Sequence, residues 1–282
     1  MQIRELDHEA VRKLLPDRDP YGHKGSFGRI LLLCGSRGYT GAAYLSAMGA
    51  LRSGAGLTFL GVPECIYEIE AIKLNEPVVF PMPDSDGMAA ISAVPEVLER
   101  LPRMDAVLIG CGLGISASTE ALVKAVLEQA SCPVVVDADG ITLLKAHKDI
   151  LRGRKYPTIL TPHDGEFIRI GGTIGEDRMA SAAYFARDWN CIVLLKGHRT
   201  CITDGTTHYR NLTGNPGMAV GGSGDVLAGI IVSLLGQGIM PLEAAACGAW
   251  LHSAAGDLCA AELGQYGMLP TDMLSVLPRL LK

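Results

Sequence analysis

Short apolar runs recur along this chain, each followed at once by a loop of unusual composition. Residues 29–34 run into Gly35-Ser-Arg-Gly-Tyr-Thr-Gly41 and a small-residue helical stretch over 42–52. Residues 57–62 form a second run, and 105–110 a third that ends in Cys111-Gly-Leu-Gly114. The run at 133–139 delivers Asp137 and Asp139 at its carboxyl end, after an amphipathic helical stretch at 118–130. Residues 158–161 lead into Pro162-His-Asp-Gly-Glu166, and 191–195 into Lys196-Gly197. Runs of this length between turn residues read as buried strands. Residues 200–203 and 207–210, flanking Asp204-Gly205, read as a hairpin, and the chain beyond residue 225 as mostly helical. Repeated strand–loop–helix units predict an α/β fold with a mainly parallel central sheet and helices on both faces. Such sheets bind ligands beyond the carboxyl ends of their strands. The unusual loops all fall there. With no linker and no internal repeat, residues 1–282 read as one domain.

The most telling loop is Asn215-Pro-Gly-Met-Ala-Val-Gly-Gly-Ser-Gly-Asp225, which feeds an unbroken apolar run at 226–235. Gly221, Gly222 and Gly224 permit positive φ and close approach to a ligand. The first N–H groups of the following helix have no internal partner and make an anion site suited to phosphate. A carboxylate there, Asp225, has a task if it takes a proton from a hydroxyl that attacks a phosphoryl group. The plainer alternative is an Asp that caps a helix behind an ordinary loop. The pattern points to phosphoryl transfer to an alcohol.

Composition narrows the partners. The net charge is −5 with no basic stripe, which argues against nucleic acid. No apolar run reaches the roughly 18 residues of a membrane span. The N-terminal residues are polar and charged, unlike a secretory signal. The eight cysteines form no C-x-x-C pair and sit mostly in apolar segments, which suits reduced thiols and a cytoplasmic protein. An early G-x-G-x-x-G after the first strand is missing, so a Rossmann oxidoreductase is discounted.

Together these loops resemble the ADP/ATP-dependent NAD(P)H-hydrate dehydratases of the ribokinase-like superfamily. The likeness spans nearly the whole chain, from Lys24-Gly25 through residues 35–43 and 50–56, Gly112-Leu-Gly114, Asp137-Ala-Asp-Gly140, residues 160–166 and 196–200, to Asn215–Asp225. Three positions depart from the family pattern. Cys111 and Asp164 stand where Pro is common, and Ile141-Thr142 where Leu-Asn is common. The resemblance is to the bacterial type without a fused epimerase domain.

The resemblance implies metabolite repair: phosphorylation of the ring hydroxyl of the S-form of hydrated NADH or NADPH, then elimination of phosphate. ADP (or ATP) with Mg²⁺ is the implied co-substrate, AMP the product of ADP, and a homo-oligomer, such as a tetramer, the implied assembly. Asp225 is the expected base. Ala42, Gly114, His163, Glu166 and Asp225 are expected at the hydrated nucleotide. Lys196, Gly197, His198, Arg199 and Thr200, with Asn215, Gly217, Gly221, Gly222, Ser223 and Gly224, are expected to hold ADP or ATP. No residue is assigned as a direct metal ligand. Asp137 and Asp139 either meet Mg²⁺ through water or cap the next helix, and His163–Glu166 has an alternative reading as a turn. His252 reads as core packing. The competing functions are a vitamin or sugar kinase of the same superfamily and a non-catalytic nucleotide-binding regulator.

Overall fold

A computed structural model describes residues 2–15 and 17–281. The first part of the chain runs β1 (Ile3–Leu6), α1 (His8–Leu14), β2 (Arg29–Leu33), α2 (Thr40–Arg52), β3 (Leu57–Pro63), α3 (Glu64–Lys73) and β4 (Val78–Met82). A small hairpin, β5 (Asp84–Ser85) and β6 (Met88–Ala89), and α4 (Ala93–Arg100) follow. Next come β7 (Ala106–Ile109), α5 (Ala117–Gln129), β8 (Val134–Val136), α6 (Asp139–Leu144), α7 (Asp149–Gly153), β9 (Thr158–Leu160), α8 (Asp164–Arg169), α9 (Arg178–Trp189) and β10 (Ile192–Leu195). The hairpin of β11 (Cys201–Thr203) and β12 (His208–Asn211) precedes α10 (Ser223–Gly236), α11 (Pro241–Leu263) and α12 (Pro270–Val276).

Ten strands form one sheet in the order β1-β12-β11-β10-β9-β8-β7-β2-β3-β4. Every neighbouring pair is parallel except the two that involve β11, so β11 alone runs against the rest. The central strands are buried on both faces, which is why they read as continuous apolar runs. In β2, Ile30 and Leu32 join the core under α2, α10 and α11, while Leu31 and Leu33 join the one under α4, α5 and α9. The outermost strands carry no such signal. Arg4 and Glu5 of β1 and Val78 of β4 are exposed, because an edge strand is covered on fewer sides. Both were missed as strands by the apolar-run criterion. Chain order reverses between β2 and β7, so the loops after these two strands flank the crevice where such sheets bind ligands.

Helix α10 packs against α2, α11 and the central strands of the sheet. Only Gly224 and Asp225, in its first turn, escape burial. It crosses α2 at backbone contact. A β-carbon on Gly49 would lie 2.6 Å from the Val226 carbonyl oxygen, and one on Gly229 would overlap the Ser46 carbonyl. Gly229→Ala therefore forces the two helices apart. The expected cost is about 1–3 kcal/mol, as for other overpacked cores, read from urea unfolding midpoints. Unchanged stability would show that the crossing has slack.

Candidate functional site

The functional side chains meet where β7, β8, β9 and β10 end and α10 begins. Gly222, the residue before α10, takes φ +95°, which turns the chain sharply into the helix. Gly221 and Gly224 do not share this conformation, against the sequence expectation for all three glycines. What Gly224 supplies is space: a β-carbon there would sit 3.4 Å from Lys196 Nζ and 3.8 Å from Asp137 Oδ2. The unpartnered N–H groups of the first turn and the positive helix end give this spot its affinity for anions.

Asp137, at the end of β8, is 2% exposed. It accepts hydrogen bonds from Lys196 Nζ at 2.8 Å and from Thr161 Oγ1 at 2.7 Å. Lys196 Nζ also lies 3.8 Å from Glu166 Oε2. Burial opposes the lysine's charge, but Asp137 and Glu166 outweigh it and raise its pKa. Cys111 donates its thiol to Asp137 Oδ2 at 3.6 Å. A hydrogen bond to Cys34 and full burial hold that thiol well above its ordinary pKa, so it stays protonated. Asp139 faces elsewhere. It opens α6 and accepts from the Gly114 N–H at 2.9 Å. Ala138 between them has φ +49°, a strained conformation for a non-glycine residue that turns the two carboxylates to different tasks.

Asp225 stands next to this network. Burial, and then the charge of Asp137, raise its pKa to about 6, with the Cys111 hydrogen bond and Lys196 pulling the other way. A carboxylate near this value is ionised at neutral pH and more basic than an exposed one, which suits a general base. Cys111, Asp137 and Asp225 each bring a ligand-type atom within 4.8 Å of one another. Asp137 is already engaged by Lys196, Thr161 and Cys111, and a thiol is a soft ligand. The set therefore suits a hard cation that keeps its waters and travels on phosphates, more than a dedicated cage.

A cavity of about 660 Å³ lies on one side of Gly224. Lys196, Gly197, His198, Arg199 and Thr200 form one wall; Asn215, Ser223 and Gly224 form another. His163 lines this cavity as well, apart from Ala42 and Gly114, with which the sequence reading grouped it. Its Nδ1 accepts from the Gly165 and Glu166 N–H groups, and Glu166 Oε2 accepts from its N–H, so the pair caps α8 in the manner of the turn alternative. Gly217 and Gly221 belong to the same loop as Asn215 but do not line the cavity. Ala42 and Gly112 are in close contact, and Gly114 lies against Met88, on the β2–β7 side of Asp225.

Sequence reading overlooked the support from α11. Asp257 accepts from the Gly214 N–H and Asn215 Nδ2, both at 2.9 Å, and so pins the loop. Ser253 bonds Asn211 and Thr213. His252 shares a hydrogen bond with Ser223 Oγ at 3.2 Å, and burial lowers its pKa to about 4, leaving it neutral. The available signal was Ser253 and Asp257, polar residues one turn apart on a largely apolar helix.

Comparison with known proteins bears on this geometry. Residues 30–279 match a family model described as NAD(P)H-hydrate dehydratase. The chain is 46% identical over 278 residues to the bifunctional NAD(P)H-hydrate repair enzyme Nnr of Moorella thermoacetica, covering 96% of this chain and 52% of that protein. It thus spans about half the length of the first curated relatives it matches. It is also 35% identical over 288 residues to the ADP-dependent (S)-NAD(P)H-hydrate dehydratase of Bacillus subtilis, covering 100% of this chain and 99% of that one. Among solved structures, a ribokinase-like superfamily protein from Enterococcus faecalis superposes with a TM-score of 0.85 at 30% identity, over 98% of this chain and 94% of that chain. The ADP/ATP-dependent NAD(P)H-hydrate dehydratase from B. subtilis, co-crystallized with ATP/Mg²⁺, superposes with a TM-score of 0.85 at 31% identity, over 100% and 98% of the two chains. The fold is ribokinase-like.

The raised pKa of Asp225 has a consequence for stability. The folded state holds this proton more tightly than the unfolded chain, so the group's favourable contribution is present in acid and is lost as pH rises through about 6. Asp225→Asn is therefore expected to be more stable than the parent chain at pH 8. The difference should shrink as pH falls from 6 toward 4. Urea titrations across that range check it, and a pH-independent difference would contradict the assignment.

Proposed function

The chain belongs to the NAD(P)H-hydrate dehydratase family, and on that premise we propose that it converts the S-form of hydrated NADH and NADPH back to NADH and NADPH while ADP becomes AMP. The observation that carries this is a carboxylate of pKa about 6 in the first turn of α10, beside an anion-binding helix start and a buried lysine. ADP lies in the cavity between residues 196–200 and the Asn215–Gly224 loop, its phosphates toward the α10 N–H groups and Lys196. The hydrated nicotinamide ring lies on the other side of Asp225, against Ala42 and Gly114.

Asp225 accepts the ring hydroxyl's proton as the oxygen attacks the terminal phosphoryl group, and AMP leaves. The C–O bond of the new ester then breaks with loss of a proton from the adjacent carbon, which releases phosphate and restores the ring double bond. Mg²⁺, carried on the nucleotide, would neutralise phosphate charge there, with Asp137 and Asp225 the carboxylates close enough to face its waters, while Asp139 stays with the Gly114 N–H. Lys196, fixed by Asp137 and Glu166, holds phosphate as a point charge. His163 and Glu166 set the α8 turn that shapes this wall. Gly197, His198, Arg199, Thr200 and Ser223 complete the nucleotide site, and Gly222 turns the chain into α10 beside it. The chain works as one domain in the cytoplasm, as a homo-oligomer. Among the described residues no helix is long and apolar enough to cross a membrane.

The decisive assay is recovery of NADH absorbance from its S-hydrate with ADP and Mg²⁺, with AMP and phosphate as products. No nucleotide-dependent turnover of either hydrate by folded protein would overturn the reading. Asp225→Asn should lower kcat by about 10²–10⁴, the range for a lost general base, and leave ADP affinity intact. Turnover of that variant close to the parent level would make Asp225 a structural residue. In the parent, kcat/KM should fall as pH drops below about 6, because Asp225 must be ionised to act. Gly224→Val should weaken ADP binding, because its side chain would press on Lys196 Nζ and fill the anion site. Unchanged calorimetric affinity would move the nucleotide elsewhere.

A further inference from the structure

Residues 196–200 wall the nucleotide cavity in a conformation that a free loop would not keep. Arg199 takes φ +59°, the left-handed region that residues with a side chain seldom enter. Such a conformation persists where its surroundings over-determine it. Inside the turn, Thr200 Oγ1 donates to the Gly197 carbonyl at 3.0 Å. At its far end, the Thr200 carbonyl accepts from the Asn211 N–H at 3.0 Å. The near end is held at Lys196. Its N–H donates to the Pro162 carbonyl at 2.8 Å, and its carbonyl accepts from Arg178 Nη2 at 3.0 Å.

Arg178 is the first residue of α9, where a cation has the wrong sign for the positive end of a helix. The first turn of α9 holds no acid to offset it. Asp177 is spent on the cap, since its Oδ1 accepts from the Met179 and Ala180 N–H groups. The guanidinium is balanced from α8 instead. Its Nη1 donates to both oxygens of Asp164 at 2.6 Å. Position 164 is one where the family pattern commonly has Pro, a side chain with no acceptor to offer. The guanidinium also covers Gly197, where a β-carbon would lie 2.9 Å from Nη2. Arg178 thus divides its two terminal nitrogens between α8 and the turn, which the single ammonium of a lysine does not reproduce.

We propose that Arg178, steadied by Asp164, is a positioning residue for the nucleotide: it fixes the 196–200 turn through the Lys196 carbonyl and so sets the affinity for ADP. The inference rests on the placement of ADP given above. Arg178 itself stands outside the cavity lining and acts only through the turn. The Lys196 ammonium is held separately, by Asp137 and Glu166. Cutting the clamp therefore loosens the wall at 197–200 and leaves the phosphate end in register. Arg178 governs nucleotide binding and not the chemical step.

The test pairs ADP calorimetry with steady-state turnover of hydrated NADH, for the full chain and for Arg178→Gln, Arg178→Lys, Asp164→Ala and the double variant Asp164→Ala with Arg178→Gln. Arg178→Gln is expected to raise Kd and KM for ADP about tenfold, the scale of a lost hydrogen bond from a charged group. The KM for the hydrate and kcat at saturating ADP should stay at the parental level. Arg178→Lys should resemble Arg178→Gln, because it keeps the charge and loses the fork. Asp164→Ala should weaken ADP binding about threefold, as for a partly exposed ion pair. It should add nothing once Arg178 is gone, since the two act as one unit. The Asp164 side chain is half exposed, so this variant should keep the fold, and urea midpoints check it. Unchanged ADP affinity in Arg178→Gln, full affinity in Arg178→Lys, or additive losses in the double variant overturns the proposal. So does a fall in kcat as large as the fall in affinity. Calorimetry reads the clamp without the reaction, so failure of the activity assigned to Asp225 shows separately, as a parent chain that binds ADP through this turn and turns over no hydrate.

Discussion

One buried charge pair organises the functional end of the molecule. Asp137, with almost no exposure, is tolerable only because Lys196 and Thr161 meet it directly. The pair joins the carboxyl ends of β8 and β10 across β9, and everything near it adjusts. Glu166 adds a second negative charge to Lys196. The Cys111 thiol stays protonated and bonds the remaining carboxylate oxygen. Asp225, next to a fixed anion and partly screened from water, becomes a stronger base than an exposed aspartate. Its basicity is set by burial and by the charges packed around it.

How much of this was legible in the sequence depended on the range of the forces involved. Strands β2, β3, β7 and β10 announced themselves because burial on two faces leaves a continuous apolar run. The edge strands β1 and β4 did not, since exposed residues interrupt each of them. Asn215–Asp225 was legible because its glycines and carboxylate have little purpose in a plain turn. The pairing of Asp137 with Lys196 was not. They stand 59 residues apart, and only the parallel order of β8, β9 and β10 brings them together. For the same reason Ser253 and Asp257 were overlooked, although they anchor the loop that precedes α10.

The two neighbouring aspartates show how a local departure from ordinary backbone geometry separates functions. From sequence, Asp137 and Asp139 were a matched pair with two open roles. The positive φ of Ala138 sends one inward to Lys196 and the other back to the Gly114 N–H. One becomes the buried counterion, and the other ties the loop after β7 to the start of α6. Strain of this sort costs on the order of 1–3 kcal/mol, and here the strained residue lies beside the charge pair that surrounding structure holds in place.

The crossing of α2 over α10 has a mechanical meaning. Ala42 lies in the first turn of α2, and Asp225 in the first turn of α10. With Gly49 and Gly229 letting the helix backbones touch, there is no layer of side chains between them to shear. The two helices therefore form a single stiff strut, and the spacing between the wall at Ala42 and the carboxylate at Asp225 is built into the scaffold. Whatever enters between that wall and the carboxylate therefore meets a separation machined in advance of its arrival.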